Sequence, residues 1–187
     1  MKVLTVPNVL TMSRVALAPL FLVLYVIRDT QAALLVFAVA AATDLLDGMA
    51  ARLLDQRSRL GAWLDPLADK LLEACALVAL AVRGELPWWL PILVLARDAA
   101  QFLGAAYLRA TRHEVPIAPT RIGKYATFTL AATAILALGG HLREDLSARA
   151  APFVAAMGLI AAQCVVVSWL QYFLYFVRSL REPRVAS

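Results

Sequence analysis

Four aspartates in two apolar stretches are the strongest candidates for catalytic or metal-binding residues, because of their type and spacing. Asp44 and Asp47 lie three residues apart in the first stretch, and Asp65 and Asp69 lie four apart in the second. Residues at these separations share one face of a helix, so each stretch would present two carboxylates in one direction. Carboxylates inside a membrane-spanning segment are costly unless a cation neutralises them. Facing each other, the pairs would form an all-oxygen site, which favours Mg²⁺ or Mn²⁺ over softer metals.

The residues around the aspartates also follow a definite spacing. From Asp44 to Asp69 the chain reads D-x2-D-G-x2-A-R-x8-G-x3-D-x3-D. Gly48 and Gly61 remove side chains beside the carboxylates, which allows close approach of a ligand or of a neighbouring membrane helix. The pattern therefore indicates a site built for a bound molecule as well as for metal ions.

The aspartates could also have either of two different roles. They could form buried ion pairs with Arg52, Lys70 and Arg97, although few cations lie near the pairs in the sequence. They could instead be the ion-binding cluster of a cation transporter or channel. A transporter does not explain why Gly48 and Arg52 accompany the acids at fixed positions.

The composition places these residues in a membrane protein. The chain has 187 residues, of which 62% are hydrophobic, and its mean hydropathy is +0.74. That is too apolar for a soluble domain and indicates an all-α polytopic membrane protein, which we expect to be one domain over residues 1–187. The net charge of +5 does not imply nucleic acid, because membrane proteins concentrate Lys and Arg on their cytoplasmic side.

Apolar runs of spanning length predict a bundle of six transmembrane helices. A short interfacial segment, residues 1–8, would precede the first. The predicted spans cover residues 9–27, 31–51, 62–82, 87–108, 124–140 and 151–176.

The distribution of Lys and Arg predicts the orientation. Most of them, including Arg14, fall on the side that also holds both termini, and the positive-inside rule makes that side cytoplasmic. The four aspartates would then lie at one depth near the cytoplasmic interface. The compact chain, with no cleavable presequence, favours the inner membrane of a bacterial cell.

The aspartate motif resembles the signature of the CDP-alcohol phosphotransferase family, and the resemblance extends to the length, the six spans and the motif's position. It implies an enzyme of phospholipid biosynthesis that uses Mg²⁺ or Mn²⁺. Such an enzyme moves a phosphatidyl group from CDP-diacylglycerol to an alcohol and releases CMP. The resemblance also implies a homodimer in the lipid bilayer.

The resemblance assigns roles to individual residues. Asp44, Asp47 and Asp65 would hold the metal ions, and Asp69 would both touch a metal ion and take the proton of the acceptor hydroxyl. The positions that match the family's contacts to CDP are Gly48, Arg52 and Ser58, with Asn8 and Thr11 in a second stretch. For the second stretch a helix N-cap is the alternative role.

Three basic residues are candidates for binding the acceptor. Arg97, Arg109 and Lys124 could converge on a phosphate at the cytoplasmic face, because Arg binds phosphate in bidentate fashion. A guanidinium within a span is costly and is therefore a functional candidate. The alternatives are a buried pair with a nearby acid for Arg97 and positive-inside anchoring for Arg109.

Two acceptors fit this region. The stretch Gly123-Lys124-x-x-Thr127 resembles the corresponding stretch of phosphatidylglycerophosphate synthases, whose acceptor is glycerol 3-phosphate. We therefore expect glycerol 3-phosphate to be the preferred acceptor. Those proteins usually carry Arg-Glu where this chain has Arg97-Asp98. The Arg-Asp pair resembles the cardiolipin synthases of the same superfamily, whose acceptor is phosphatidylglycerol.

Overall fold

The structure, a computed structural model, describes residues 6–53, 61–111, 121–141 and 144–181. Within these ranges the chain forms six helices and no strand. The helices are α1 (Val6–Val26), α2 (Thr30–Leu53), α3 (Gly61–Val82), α4 (Trp89–Ala110), α5 (Arg121–Gly140) and α6 (Glu144–Arg181). The predicted all-α class is confirmed, and the apolar helices agree with a polytopic membrane protein.

The helix bounds lie within five residues of the predicted spans at every end except the start of α6. Helix α6 begins at Glu144 rather than at residue 151, because the helix continues through polar residues that a hydropathy pattern does not count. Helix α1 already begins at Val6, within the expected interfacial segment. The rest of that segment, residues 1–5, lies outside the described residues.

Among the residues that the structure describes, three segments are long and apolar enough to cross a membrane by themselves. They are Asn8–Val26, Arg121–Gly140 and Arg149–Ser179. Helices α2, α3 and α4 have 24, 22 and 22 residues. At about 1.5 Å per residue, each exceeds the hydrocarbon core of about 30 Å. These three helices carry the charged residues of interest, which lower their hydropathy. That they also span the membrane stays a prediction based on their length.

The helices form two compact units, Met1–Leu86 with α1 to α3 and Pro87–Ser187 with α4 to α6. In the first unit α1 packs against both α2 and α3. In the second unit α6 packs against both α4 and α5. A single domain over residues 1–187 would contain both units, and it stays a prediction.

Two helices of the first unit end in the same type of cap. Arg28 follows α1 with φ 68°, and Gly84 follows α3 with φ 77°. In each case the next amide reaches back five residues, from Asp29 to the Leu24 carbonyl at 3.0 Å and from Glu85 to the Leu80 carbonyl at 2.9 Å. This is the Schellman arrangement, in which a left-handed residue satisfies the last carbonyls of a helix.

A polar cluster joins the three helices at this end of the unit. The buried Tyr25 hydroxyl donates to the Glu85 carboxylate, at 2.8 Å to Oε1 and 3.0 Å to Oε2. The Arg83 guanidinium lies 4.3 Å from the centroid of the Tyr25 ring and donates to Thr30 Oγ1 at 2.9 Å. Together these contacts fix the far ends of α1 and α3 and the start of α2.

Small residues pack α5 in the second unit. Its buried positions include Gly123, Ala126, Ala134 and Ala137. Small side chains let membrane helices approach closely, and α5 packs mainly against α6.

Candidate active site

The carboxylates of α3 lie one helical turn apart. Asp65 is half-buried, while the side chain of Asp69 is 55% exposed. The four-residue spacing places both on one face of α3, as the sequence predicted. Asp69 therefore has the access to a ligand that a reacting carboxylate needs.

Helix α1 presents a buried polar stripe to these carboxylates. Asn8, Thr11 and Arg14 recur every third residue and are 2%, 0% and 0% exposed. The Thr11 hydroxyl donates a hydrogen bond to Asp65 Oδ1 at 2.7 Å. Thr11 was predicted to contact CDP, and the structure places its hydroxyl against a predicted metal ligand.

Arg14 is the functional candidate that the sequence analysis missed. Its guanidinium donates through Nη1 to Asp69 Oδ1, which forms an ion pair between α1 and α3. From the sequence, Arg14 was assigned only to the positive-inside bias, which explains any basic residue near this interface. The spacing Asn8-x2-Thr11-x2-Arg14 could have shown that all three residues share one helix face.

Glu73 is a third acidic residue of α3 and was not among the predicted site residues. It lies one turn beyond Asp69 on α3 and accepts a hydrogen bond from Lys70 Nζ at 2.8 Å. Its Oε1 is buried and has no hydrogen-bond partner among the described residues. Asp65, Asp69 and Glu73 thus form an acidic row along α3.

The other predicted site residues of this unit are only partly described. Asp44, Asp47, Gly48 and Arg52 lie on α2, but their side chains are outside the described residues, and Ser58 falls in the gap 54–60. Among the described side chains no three His, Cys, Asp or Glu residues are grouped to hold a metal ion. The oxygen donors of Asp65 and Asp69 suit a hard cation such as Mg²⁺. The four-carboxylate metal site stays a prediction.

In the second unit the Arg97 guanidinium already has partners. Arg97 is 3% exposed, and its Nη1 donates to Asp98 Oδ1 at 3.1 Å while its Nη2 donates to Ser168 Oγ at 3.1 Å. Lys124 is exposed on α5, and the Arg109 side chain is outside the described residues. Their convergence on one phosphate stays a prediction.

An apolar cavity of about 530 Å³ lies between α4 and α6. Aromatic and aliphatic side chains dominate its walls, which include Leu103, Tyr107, Trp169, Tyr172 and Phe176. Gly104 also lines the cavity, and a Cβ at this position would lie 3.7 Å from the Phe176 ring. Such a lining suits hydrocarbon rather than a phosphate group.

Most of the chain matches a known protein family. The sequence profile of the CDP-alcohol phosphatidyltransferases matches residues 4–177. This chain therefore belongs to the CDP-alcohol phosphatidyltransferase family, and the predicted resemblance is confirmed.

Similar proteins include cardiolipin synthases and a phosphatidylglycerophosphate synthase. A cardiolipin synthase (CMP-forming) of Streptomyces coelicolor is 38% identical, over 98% of this chain and 86% of the relative. A probable phosphatidylglycerophosphate synthase of Mycobacterium tuberculosis is 32% identical, over 97% of this chain and 84% of the relative. A cardiolipin synthase and mitochondrial hydrolase fusion protein of Schizosaccharomyces pombe is 35% identical, over 89% of this chain but only 30% of the relative.

Proposed function

We propose that the protein transfers a phosphatidyl group from CDP-diacylglycerol to phosphatidylglycerol, giving cardiolipin and CMP, with Mg²⁺ or Mn²⁺ as the cofactor. Family membership supports the transfer from a CDP-alcohol. The cation transporter has no support from the family. The proposed acceptor, phosphatidylglycerol, differs from glycerol 3-phosphate, which the sequence motifs favoured.

The contacts of Arg97 are the observation that supports phosphatidylglycerol as the acceptor. Glycerol 3-phosphate is a phosphomonoester with a charge of about −1.5 to −2, so its binding calls for several available cations. Arg97 is buried and pairs with its own neighbour Asp98 and with Ser168. Phosphatidylglycerol is a phosphodiester with a single negative charge, so it needs fewer cations. The higher identity to the Streptomyces cardiolipin synthase points the same way.

Glycerol 3-phosphate stays the second candidate because of Lys124. This residue is exposed at the start of α5, within the Gly123-Lys124-x-x-Thr127 stretch. The relative named as a phosphatidylglycerophosphate synthase covers nearly the whole chain. An exposed ammonium can attract a doubly charged phosphate as a point charge.

The residues of the first unit suit the chemistry of the transfer. The acceptor hydroxyl oxygen attacks the phosphorus of the phosphatidyl group, the bond from that phosphorus to the bridging oxygen breaks, and CMP leaves with that oxygen. The hydroxyl proton passes to the exposed Asp69 carboxylate, which acts as the general base. Metal ions held by Asp44, Asp47, Asp65 and Asp69 would neutralise the pyrophosphate and polarise its oxygens. Gly48, Arg52 and Ser58 would bind the CDP group.

The proposed setting is a multi-pass protein of the bacterial inner membrane. We expect the site and both termini to face the cytoplasm, because the basic residues concentrate on that side of the sequence. A homodimer is expected from the family resemblance.

The acceptor is tested with purified protein in detergent, supplied with CDP-diacylglycerol, Mg²⁺ and one candidate acceptor at a time. CMP release that depends on phosphatidylglycerol, with cardiolipin found by mass spectrometry, is the expected result. Release that depends only on glycerol 3-phosphate would overturn the proposed acceptor and favour the second candidate. Ion flux in proteoliposomes without CMP release would instead support a cation transporter.

A further inference from the structure

We propose that Arg14 is a positioning residue of the transfer reaction, which acts by holding the Asp69 carboxylate in its reactive orientation. The inference rests on the proposed function, because it gives Asp69 the role of general base. Arg14 would work from α1 without touching either substrate.

The burial of Arg14 excludes a direct contact with substrate in this arrangement. Its side chain is 0% exposed, whereas its partner Asp69 is 55% exposed. The guanidinium therefore contacts the ligand-accessible region through the Asp69 carboxylate. A residue in this position can change the geometry of the base but cannot bind the nucleotide itself.

The Arg14–Asp69 ion pair offsets the repulsion between neighbouring carboxylates. Asp65 and Asp69 are one turn apart, and the motif adds two further carboxylates on α2. The carboxylates of Asp65 and Asp69 repel each other at this separation, and the ion pair with Arg14 opposes a rotation of Asp69 away from Asp65. The planar guanidinium of Arg14 holds one carboxylate oxygen toward α1. The orientation of the whole carboxylate is then fixed relative to α3.

The same helix holds the other carboxylate by a different means. Thr11, one turn before Arg14, donates a neutral hydroxyl to Asp65 at 2.7 Å. A neutral donor orients a metal ligand without opposing the metal, whereas a guanidinium competes with a metal ion for the same oxygen. Loss of Arg14 should therefore disturb the base while leaving the affinity for a divalent cation unchanged or higher.

Arg83 allows a comparison with an arginine whose role is purely structural. It is a second arginine of this unit that is mostly buried, with 16% of its side chain exposed. Arg83 joins α1, α2 and α3 at their far ends through Tyr25, Thr30 and Glu85. It has no contact with Asp65 or Asp69 among the described interactions. Arg83→Met is therefore the matched control for Arg14→Met, since both remove a guanidinium that links the same helices.

The experiment compares wild type, Arg14→Met, Arg14→Lys and Arg83→Met by CMP release, by Mn²⁺ binding in electron paramagnetic resonance and by thermal unfolding in detergent. For Arg14→Met we expect kcat to fall by about 100-fold, the usual effect of a misplaced reacting group. The KM for CDP-diacylglycerol should stay within about threefold, because no substrate contact is lost. Mn²⁺ affinity should be unchanged or tighter, and Arg14→Lys should recover part of the lost kcat.

Four results would overturn the inference or the function beneath it. A fall in kcat, Mn²⁺ affinity and thermal stability that matches Arg83→Met would make Arg14 structural, and an unchanged kcat would remove any role. If Arg14→Met does not fold, Arg14→Lys decides: lower kcat with unchanged Mn²⁺ affinity supports the inference, and wild-type kcat refutes it. Wild-type protein that releases no CMP with any acceptor would instead refute the proposed function on which the inference rests.

Discussion

At the scale of single residues, the α3 carboxylates depend on side chains from α1. Thr11 and Arg14 are both fully buried, and each contacts one carboxylate of the motif. A buried guanidinium and a buried hydroxyl in a membrane segment are stable only when paired. The polar residues of α1 and the acids of α3 therefore stabilise each other as well as the site.

Replacement of Thr11 by Val should weaken metal binding. The substitution keeps the shape of the side chain but removes the hydrogen bond to Asp65. Partners of this kind typically contribute about 10–100-fold to metal affinity. We expect Mn²⁺ affinity, measured by electron paramagnetic resonance, to fall within that range. Thr11→Ser is the control, because it keeps the hydroxyl and should bind Mn²⁺ like the wild type. Equal affinity of the Val and Ser variants would contradict the assigned role of the hydroxyl.

The sequence draws attention to the acids of α3 but not to their partners on α1. Asp65 and Asp69 stand out because carboxylates are rare in apolar segments. Arg14 was assigned to membrane orientation, a role that fits any basic residue near the cytoplasmic side. Its contact with Asp69 depends on how α1 packs against α3, and a pattern along one helix does not contain that packing.

At the scale of helices, the two C-terminal caps of the first unit differ in their left-handed residue, which is Arg28 after α1 and Gly84 after α3. Gly84 adopts its left-handed conformation without strain, but Arg28 adopts the same conformation with a side chain. The sequence did not reveal this cap, because glycine or asparagine is the usual signal for a left-handed residue after a helix.

Replacement of Arg28 by Gly should stabilise the protein. It relieves about 1–2 kcal/mol of left-handed strain. The greater freedom of glycine in the unfolded chain takes back about 0.5–1 kcal/mol. The net gain of up to about 1.5 kcal/mol should raise the midpoint of thermal unfolding by about 2–4 °C per kcal/mol for a chain of this size, with unchanged CMP release. Gly84→Ala should shift the midpoint in the opposite direction. A lower midpoint for Arg28→Gly would show that its side chain contributes more than its backbone strain.

Helix positions were the best-predicted feature at this scale. The apolar runs gave all six helices, because a membrane span needs about twenty apolar residues in a row. The early start of α6 at Glu144 was missed, since the polar residues before residue 151 belong to the same helix without being apolar.

At the scale of the whole molecule, the family assignment rests on the full chain, since the match covers residues 4–177. The eight fixed residues of the motif were enough to predict it. The acceptor was harder to predict, because Gly123-Lys124-x-x-Thr127 and Arg97-Asp98 point to different subfamilies. The structure adds that Arg97 is engaged by Asp98 and Ser168, and a sequence does not show which partner a buried guanidinium selects.

CMP release from Asp69→Asn measures whether the α3 carboxylates perform phosphatidyl transfer. The amide keeps the shape of the side chain and can still accept a hydrogen bond from Arg14, but it cannot take the acceptor proton. We expect CMP release to fall by at least about 100-fold, the usual contribution of a general base. Stabilisation by CDP-diacylglycerol in thermal unfolding should be partly kept. If Asp69→Asn released CMP at close to the wild-type rate, Asp69 would not be the base and the account of the site would be wrong.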